Sequence, residues 1–471
     1  MKKLLARLVI LPLIIVCFQA KADIRLPAII GDHMVLQQNS DCKLWGWSNA
    51  NEKITITTSW DTSHVVVQAL GDAKWMASIK TPKAGGPFSI TLKGYNEVVI
   101  NDVLVGEVWD CSGQSNMEMS DSWGKQLYSD ELSQANNQSI RLFQIPRLTS
   151  EYPQDDTQGK WVVCNPADVK KFSMAGYFFG KTLQETLKLP VGLINASWGG
   201  TPAETWTPKD SIMNNPVLKE SAAHLNSNPN WPVLPALIYN AEIHPITNFN
   251  IAGVIWYQGE ANVGTASTYS QVFTTMINSW RSAWKKDLPF YYVQIAPFEG
   301  YGKSNDGSIL REQQTKTLAV PNTGMIVVHD LVENVKDIHP RDKKNVGIRL
   351  ANLALSKTYG VAGLPYQYPM FKEMKIEKGK AIISFSNANN GLQVKGDTLD
   401  GFYIAGADKN FVPAKAKISG NTVVVSSKEV KEPVAVRFGF TSASMPNLFN
   451  KEGLPVNMFR TDDWDDVPTL K

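Results

Sequence analysis

Five short, almost wholly apolar runs recur through the middle of the chain and most constrain its fold. They are residues 103–109, 191–194, 253–256, 290–293 and 325–328. Stretches with helical periodicity lie between them, including residues 176–187 and 269–284. Apolar strands that alternate with helices are typical of a parallel sheet covered on both faces. We therefore predict a central α/β domain over residues 103–365, closed by a helix after Gly347.

The segments on either side of this domain have a different pattern. Runs at 53–57, 75–79 and 88–92, and later at 381–385, 422–425 and 434–438, alternate with period two or are rich in β-branched residues. Short strands between turn signals favour sandwich-like β structure. Because single cores stop growing near about 300 residues, a chain of 471 residues is expected to divide. We predict β-rich regions over residues 23–102 and 366–471.

The first 22 residues have the pattern of a secretory signal peptide. Lys2, Lys3 and Arg7 precede the apolar residues 8–18, and Ala20-Lys21-Ala22 offers a small-residue cleavage site. The apolar run is shorter than the about 20 residues that a membrane-spanning helix needs. We predict an exported protein, periplasmic or extracellular after cleavage, with no membrane insertion.

Charge and cysteine content exclude several functions. Removing the four basic residues of the leader turns the net charge from +3 to −1, which gives no reason to expect a nucleic-acid partner. Cys42, Cys111 and Cys164 remain and allow one disulfide at most. Since no C-x-x-C or H-E-x-x-H pattern occurs, no metal site is predicted.

The strongest local motif is Gly113-Gln114-Ser115-Asn116-Met117, directly after the first central strand. Ligands of open α/β sheets bind beyond the carboxyl ends of the strands. A serine on such a turn can present its hydroxyl beside a backbone N–H that binds an oxyanion. The G-x-S-x-G elbow is not satisfied, because Met117 holds its last position, which disfavours the α/β-hydrolase fold.

A serine nucleophile needs a base, usually histidine. His339, in Asp337-Ile338-His339-Pro340, lies just before the last predicted helix and has an acid two residues away. His244, in Glu242-Ile243-His244-Pro245, is its rival, and spacing alone leaves both open. The remaining histidines are less suitably placed: His33, His64, His224 and His329.

Two further clusters follow central strands. Residues 195–201, which include Gly199 and Gly200, are small enough for backbone N–H groups to approach a ligand. Residues 256–262 place the Gln258 amide and the Glu260 carboxylate at the next strand end. The Asn- and Pro-rich segment 214–235 is predicted as a long surface loop, a class that is often functional.

These motifs together resemble bacterial sialate O-acetylesterase-type proteins, a branch of the SGNH hydrolases related to several acetylxylan esterases. The resemblance is carried by residues 106–118, 198–201, 256–262 and 337–340, and continues at 32–37, 447–455 and 459–464. It covers almost all of the chain after the leader.

The resemblance implies a flavodoxin-like three-layer hydrolase domain with Ser115 as nucleophile and His339 as general base. Its oxyanion donors would be the Ser115 N–H, the N–H of Gly199 or Gly200, and a side chain of residues 256–262, which we call the third block. That block offers Gln258 where the superfamily usually has asparagine. Asn116 is expected beside the substrate.

The resemblance leaves the acid open. The superfamily spacing Asp-x-x-His would place Lys336 at the acid position, whereas this chain has Asp337 two residues before His339. Related acetylxylan esterases can orient the histidine with the glutamate of Gln-Gly-Glu, here Glu260. We favour Asp337 and retain Glu260 as the alternative.

The implied reaction is removal of O-acetyl groups from a sugar or glycan through an acetyl-serine, without metal or cofactor. One alternative is an acetylxylan or other polysaccharide O-acetylesterase; another is a lipid or thioester hydrolase. A third, of another class, is a non-catalytic carbohydrate-binding protein, which would keep its sugar affinity when Ser115 is replaced by alanine.

Overall fold

The computed structural model describes residues 23–124, 127–302 and 305–464, and the predicted leader lies outside these residues. The amino-terminal region consists of short strands, of which the fifth alternates exposed and buried side chains along its whole length, as one face packs on a core. These strands are Val35–Gln37 (β1), Asp41–Trp47 (β2), Lys53–Thr58 (β3), His64–Gln68 (β4), Lys74–Lys80 (β5) and Gly85–Lys93 (β6).

A single long strand, Glu97–Gly113 (β7), joins this region to the central sheet. Its first half pairs antiparallel with β6, and its second half, buried at every position from Val103 onward, runs through the centre of the larger sheet. The predicted boundary at residues 102 and 103 therefore lies inside β7. There Asp102 has a φ of 53° and accepts a 2.5 Å hydrogen bond from buried Arg141. The boundary near residue 365 stays a prediction.

The central sheet has the order β13-β12-β11-β7-β10-β8-β9. Its other strands are Asn137–Gln144 (β8), Trp161–Cys164 (β9), Val191–Ser197 (β10), Gly253–Tyr257 (β11), Phe290–Val293 (β12) and Thr323–Ile326 (β13). All pairs are parallel except β8 with β9. The chain reverses its direction of winding at β7, which makes the carboxyl end of β7 a topological switch point where ligands bind.

Helices cover both faces of this sheet. Tyr291 of β12 stacks on Trp109, which meets Phe179 edge-on, whereas Tyr292 packs on Phe273. Neighbouring strand residues point to opposite faces, so the helices that carry Phe179 and Phe273 lie on opposite sides. The helices are Ser115–Glu118 (α1), Ser129–Ser133 (α2), Pro166–Val169 (α3), Met174–Leu187 (α4), Lys209–Met213 (α5), Pro216–Ala223 (α6), Tyr269–Trp284 (α7), Asp306–Lys316 (α8) and Lys343–Lys357 (α9).

The carboxyl-terminal region is β structure with its own core, in which Phe402, Phe438 and Phe459 pack together. Its strands are Met370–Glu377 (β14), Lys380–Ser386 (β15), Leu392–Val394 (β16), Phe402–Ala405 (β17), Val412–Pro413 (β18), Lys415–Ser419 (β19), Thr422–Ser426 (β20), Ala435–Phe438 (β21), Leu448–Asn450 (β22) and Phe459–Arg460 (β23). The predicted class, a central α/β domain between two β-rich regions, is thus confirmed.

Several local predictions differ from the structure. Residues 214–235 are not a loop throughout, because Asn215 caps α6 by accepting from the N–H groups of Val217 and Leu218. The last helix begins at Lys343 and therefore includes Gly347, after which it was predicted to begin. The three cysteines of the described residues are buried free thiols. No helix in the described part of the chain is long and apolar enough to cross a membrane.

Candidate active site

Ser115 lies at the switch point, where β7 ends and α1 begins. The turn depends on Gly113, whose φ is 142° and where a β-carbon would lie 2.2 Å from the Tyr257 carbonyl oxygen. Only glycine allows this approach of β7 to β11. The Ser115 residue is 8% exposed, and its hydroxyl has no hydrogen-bond partner among the described residues.

His339 is held beside this turn by its two neighbouring peptide groups. Asn116, the residue after Ser115, donates from Nδ2 to the Ile338 carbonyl at 3.1 Å. Lys343 Nζ donates to the Pro340 carbonyl and, at 2.8 Å, to Asn116 Oδ1. The structure therefore brings Ser115 and His339, predicted as nucleophile and base, to one edge of the sheet.

The His339 ring is flanked by an aromatic side chain and by an acid. Trp123 meets the imidazole edge-on, with ring centroids 5.4 Å apart. Asp337 Oδ1 accepts the backbone N–H of His339 at 2.9 Å and lies 3.9 Å from Nδ1 of the ring. Asp337 thus fixes the backbone of the histidine and places its carboxylate against the nitrogen that an orienting acid would contact.

Glu260, the alternative acid, is engaged elsewhere. Its Oε1 accepts a 2.5 Å hydrogen bond from Asn116 Nδ2, and its Oε2 is buried without a partner among the described residues. Burial raises the pKa of Glu260, and this is opposed by its own backbone N–H, by Asn116 and by the charge of Lys343. Asn116 therefore links Glu260 and Lys343 inside the protein, whereas the resemblance implied that it lies beside the substrate.

Gly199 lies directly beside Ser115. A β-carbon at Gly199 would be 3.1 Å from Cβ of Ser115. The Gly199 N–H, a predicted oxyanion donor, donates to Glu118 Oε2 at 2.8 Å. Glu118 also accepts from Arg147 Nε at 2.7 Å, and the Arg147 guanidinium lies over the ring of Trp198. A carboxylate and an arginine thus border the space over Ser115.

Gly200 is constrained by the segment predicted as a surface loop. Its φ is 80°, and a β-carbon there would lie 2.3 Å from the ring of Trp231. Residues 214–235 thus reach Gly200 through Trp231.

Gln258 is in a different position from the one its predicted role requires. Its Nε2 donates to the Thr201 carbonyl at 3.1 Å and to Asn262 Oδ1 at 2.8 Å, while its Oε1 accepts from the Tyr269 hydroxyl at 2.8 Å. An amide nitrogen has two hydrogens, and both are used inside the protein. The side chain is fully buried, so Gln258 braces the third block.

The other candidate histidines lie in other surroundings. His244 Nδ1 contacts the Gln154 carbonyl at 2.9 Å, in a cleft of about 240 Å³ that Trp45 and Trp47 also line. His329 is buried, which lowers its pKa to about 4. Among the described residues, no group of three or more His, Cys, Asp or Glu side chains is arranged to hold a metal ion.

Several residues of this site escaped the prediction. Lys343 reads as an ordinary surface lysine at a helix start, yet it is fully buried and lies 5.5 Å from the centre of the Tyr257 ring. Glu118 belongs to the quoted motif, but nothing in its spacing indicates Gly199 as partner. Arg147 follows β8, an unpredicted strand. Each of these roles depends on a contact with a residue distant in the sequence, so only the three-dimensional structure reveals it.

A serine at the switch point of an open, mainly parallel sheet, with a histidine from the loop before the last helix, is the arrangement of an SGNH-type hydrolase. Comparisons with known proteins agree. Residues 105–356 match the family described as carbohydrate esterase, sialic acid-specific acetylesterase. The crystal structure of a carbohydrate acetylesterase from Xanthomonas citri is similar, with a TM-score of 0.86 and 38% identity, covering 94% of this chain and 100% of that one.

Curated relatives are similar over most of their length. The sialate O-acetylesterase of Homo sapiens is 30% identical over 419 residues, which are 80% of this chain and 79% of that protein. The sialate O-acetylesterase of Mus musculus is 29% identical over 77% of this chain and 78% of that protein. The chain belongs to the sialic acid-specific acetylesterase family of carbohydrate esterases. It is a carboxylic ester hydrolase that removes O-acetyl groups from carbohydrates, as predicted.

Proposed function

We propose that the enzyme hydrolyses acetyl esters of sialic acids by way of an acetyl-enzyme formed on Ser115, with His339 as general base and Asp337 as the acid that orients it. The observation that carries this assignment is the hydrogen bond from Asn116 to the Ile338 carbonyl. It joins the residue after Ser115 to the residue before His339, so that two segments distant in sequence meet at the switch point.

In the first half of the reaction His339 accepts the proton of the Ser115 hydroxyl, and Oγ bonds to the acetyl carbonyl carbon. The carbonyl π electrons move to oxygen, where the backbone N–H of Ser115 donates to the resulting oxyanion. Collapse of the tetrahedral intermediate breaks the bond to the sugar oxygen, which takes the proton from His339. Water then attacks the acetyl-serine with the same base and releases acetate.

Arg147 supports an anionic sugar as substrate. Its side chain is 51% exposed, and its guanidinium lies over Trp198, the residue next to Gly199. An arginine can bind a carboxylate through two parallel hydrogen bonds, and a tryptophan offers an apolar face to a sugar ring. Since Glu118 already contacts Arg147, a substrate carboxylate would share this cation.

The test of the activity compares wild type with Ser115→Ala, using exposed Ser133→Ala as a matched control. Acetate release from 4-nitrophenyl acetate and from an O-acetylated sialic acid should fall at least 10³-fold in Ser115→Ala and stay unchanged in the control. Near-native activity of Ser115→Ala would refute the assignment.

A panel of acetylated sialosides, xylan and pectin separates the substrate classes. Sialosides should be deacetylated with the highest kcat/KM, and Arg147→Met should lower kcat/KM for them more than for 4-nitrophenyl acetate. A preference for xylan or pectin, unchanged by Arg147→Met, would replace the sialate proposal by a polysaccharide esterase.

We also propose export, supported by the charged and apolar pattern of residues 1–22. The expected mature amino terminus is Asp23, in the periplasm or the medium. Amino-terminal sequencing of the protein recovered from cell fractions tests this, and a cytosolic protein beginning at Met1 would contradict it.

A further inference from the structure

The third oxyanion donor is missing from the position that the resemblance gave it, because both Nε2 hydrogens of Gln258 are used inside the protein. A second glutamine, Gln114, lies immediately before Ser115. Its residue is only 3% exposed, so its side chain extends into the protein beside the nucleophile rather than into solvent.

The orientation of the Gln114 amide is fixed by its oxygen. Oε1 accepts the backbone N–H of Gly259 at 3.3 Å and that of Ala261 at 3.2 Å. Both partners are donors, so the atom that meets them must be the carbonyl oxygen, and the NH₂ group must point away from the third block. The third block thus supports the Gln114 side chain.

The NH₂ group itself is unused. Among the described residues, Gln114 Nε2 donates to no acceptor. It is also absent from the unpaired polar atoms that are completely enclosed, so part of its surface is accessible. It therefore reaches space that water or a ligand can enter. The amide belongs to the residue before Ser115 and is tied to the third block, whose Glu260 also contacts Asn116, the residue after Ser115.

We propose that Gln114 is the catalytic residue whose side-chain N–H binds the oxyanion, in the role that SGNH enzymes give to an asparagine. As Ser115 Oγ bonds to the acetyl carbon and its proton passes to His339, the carbonyl π electrons move to oxygen. Gln114 Nε2–H donates to that oxygen together with the Ser115 N–H, and releases it when the bond to the sugar oxygen breaks. This inference rests on the acetyl-serine mechanism proposed above.

The support of Oε1 explains why such a donor would be effective. A donor that is already oriented costs no reorganisation when charge develops, and loss of one such donor lowers kcat by about 10²–10³-fold. Gly259 has a φ of 151°, and a β-carbon there would lie 2.6 Å from Ile295 Cγ2. The turn that holds Gln114 is therefore closely packed.

Two substitutions of Gln114 distinguish a hydrogen-bond donor to the oxyanion from a residue that only supports the turn. Gln114→Glu retains an acceptor for Gly259 and Ala261 but removes the donor, whereas Gln114→Met removes both. If Gln114 binds the oxyanion, both variants lose about 10²–10³-fold in kcat on 4-nitrophenyl acetate, with KM changed less than about threefold. Exposed Gln134→Glu, which introduces the same charge, should retain wild-type kcat.

Other outcomes overturn the proposal. If Gln114→Glu keeps kcat within threefold of wild type while Gln114→Met loses it, Gln114 only supports the turn. If both retain kcat, it has no role in the reaction. A wild-type enzyme that releases no more acetate than Ser115→Ala would instead refute the proposed mechanism itself.

A measurement on the unmodified enzyme avoids variants that fold poorly. Phenylboronic acid forms a tetrahedral, anionic adduct with a serine nucleophile. In a crystal structure of that adduct, one boronate oxygen should lie within about 3.1 Å of Gln114 Nε2. An oxygen bound by Gln258, or by no side-chain amide, would contradict the proposal.

Discussion

Asn116 donates a 3.1 Å hydrogen bond to the carbonyl of Ile338, so the residue after Ser115 holds the residue before His339. The partners are 222 positions apart in the chain, and the partly buried contact joins α1 to the loop before α9. A general base works only within hydrogen-bond reach of the proton that it abstracts. In the mechanism proposed above, this contact therefore holds His339 beside Ser115.

The first prediction concerns this contact. Asn116→Ala removes the hydrogen bonds to Ile338, Glu260 and Lys343 together. It should lower kcat by about 10²-fold, because His339 is then no longer held in position beside Ser115. Asn421→Ala, an exposed site in the carboxyl-terminal region, is the matched control. Steady-state kinetics with circular dichroism checks this, and an unchanged kcat would show that the loop is held by other contacts.

The second prediction separates the two acids. Asp337→Asn should lower kcat at least 10²-fold at neutral pH, because it removes the negative charge nearest Nδ1 of His339. Glu260→Gln should cost less than about tenfold, since an amide oxygen can still accept from Asn116. Both variants are compared by kcat at matched thermal stability. The reverse order would make Glu260 the orienting acid.

Sequence patterns predicted the parts of this protein that depend on periodicity and on local motifs. The apolar runs at 253–256 and 290–293 are strands β11 and β12, and the helical stretch 269–284 is α7. Apolar residues that recur every three to four positions, or every second position, show which face of a helix or strand is buried. These elements could therefore be predicted from the sequence. The strand β8 was missed because Arg141 interrupts its apolar pattern, and that arginine is buried against Asp102.

The finer assignments failed where they depend on long-range pairing. Gln258 has the residue type and the position of an oxyanion donor, but Asn262 and Thr201 take both of its hydrogens. Lys343 was not singled out, because a lysine at a helix start is usually solvated, yet it is enclosed between Asn116 and Tyr257. Neither outcome is encoded in local spacing, since each depends on which segments the fold brings together.

The third prediction tests the buried lysine. Lys343→Met should lower the free energy of unfolding by about 3 kcal/mol, because a buried charge network loses one partner and Asn116 Oδ1 is left unsatisfied. It should also lower kcat, since the Pro340 carbonyl next to His339 loses its donor. Urea unfolding and kinetics on the same preparation measure both effects.

Lys344→Met is the control for the third prediction. Lys344 is the neighbouring residue and pairs with Glu131 at 2.5 Å in a half-exposed setting, where an ion pair contributes at most about 1 kcal/mol. Equal destabilisation by the two substitutions would contradict a special role of Lys343.

The fourth prediction follows from Asp110, a fully buried carboxylate of β7. Its Oδ2 accepts from the Ser112 hydroxyl at 2.7 Å, its Oδ1 has no partner among the described residues, and burial raises its pKa from 3.8 to about 7. Between pH 4 and pH 7 the native state keeps a proton that the unfolded state has lost. The stability that this proton provides is therefore complete at low pH and is lost as the pH rises through about 7.

Asp110→Asn imitates the protonated carboxyl at every pH. At pH 8 the variant should unfold at a higher urea concentration than wild type, and its free energy of unfolding should be larger by at most about 4 kcal/mol. At pH 4 the two proteins should be about equally stable. Burial raises the pKa of Glu242 and Glu204 as well, so some loss of stability with pH should persist in the variant. A stability difference between variant and wild type that is the same at both pH values would mean that Asp110 is ionised in the native state throughout this range, with its charge stabilised by the surrounding protein.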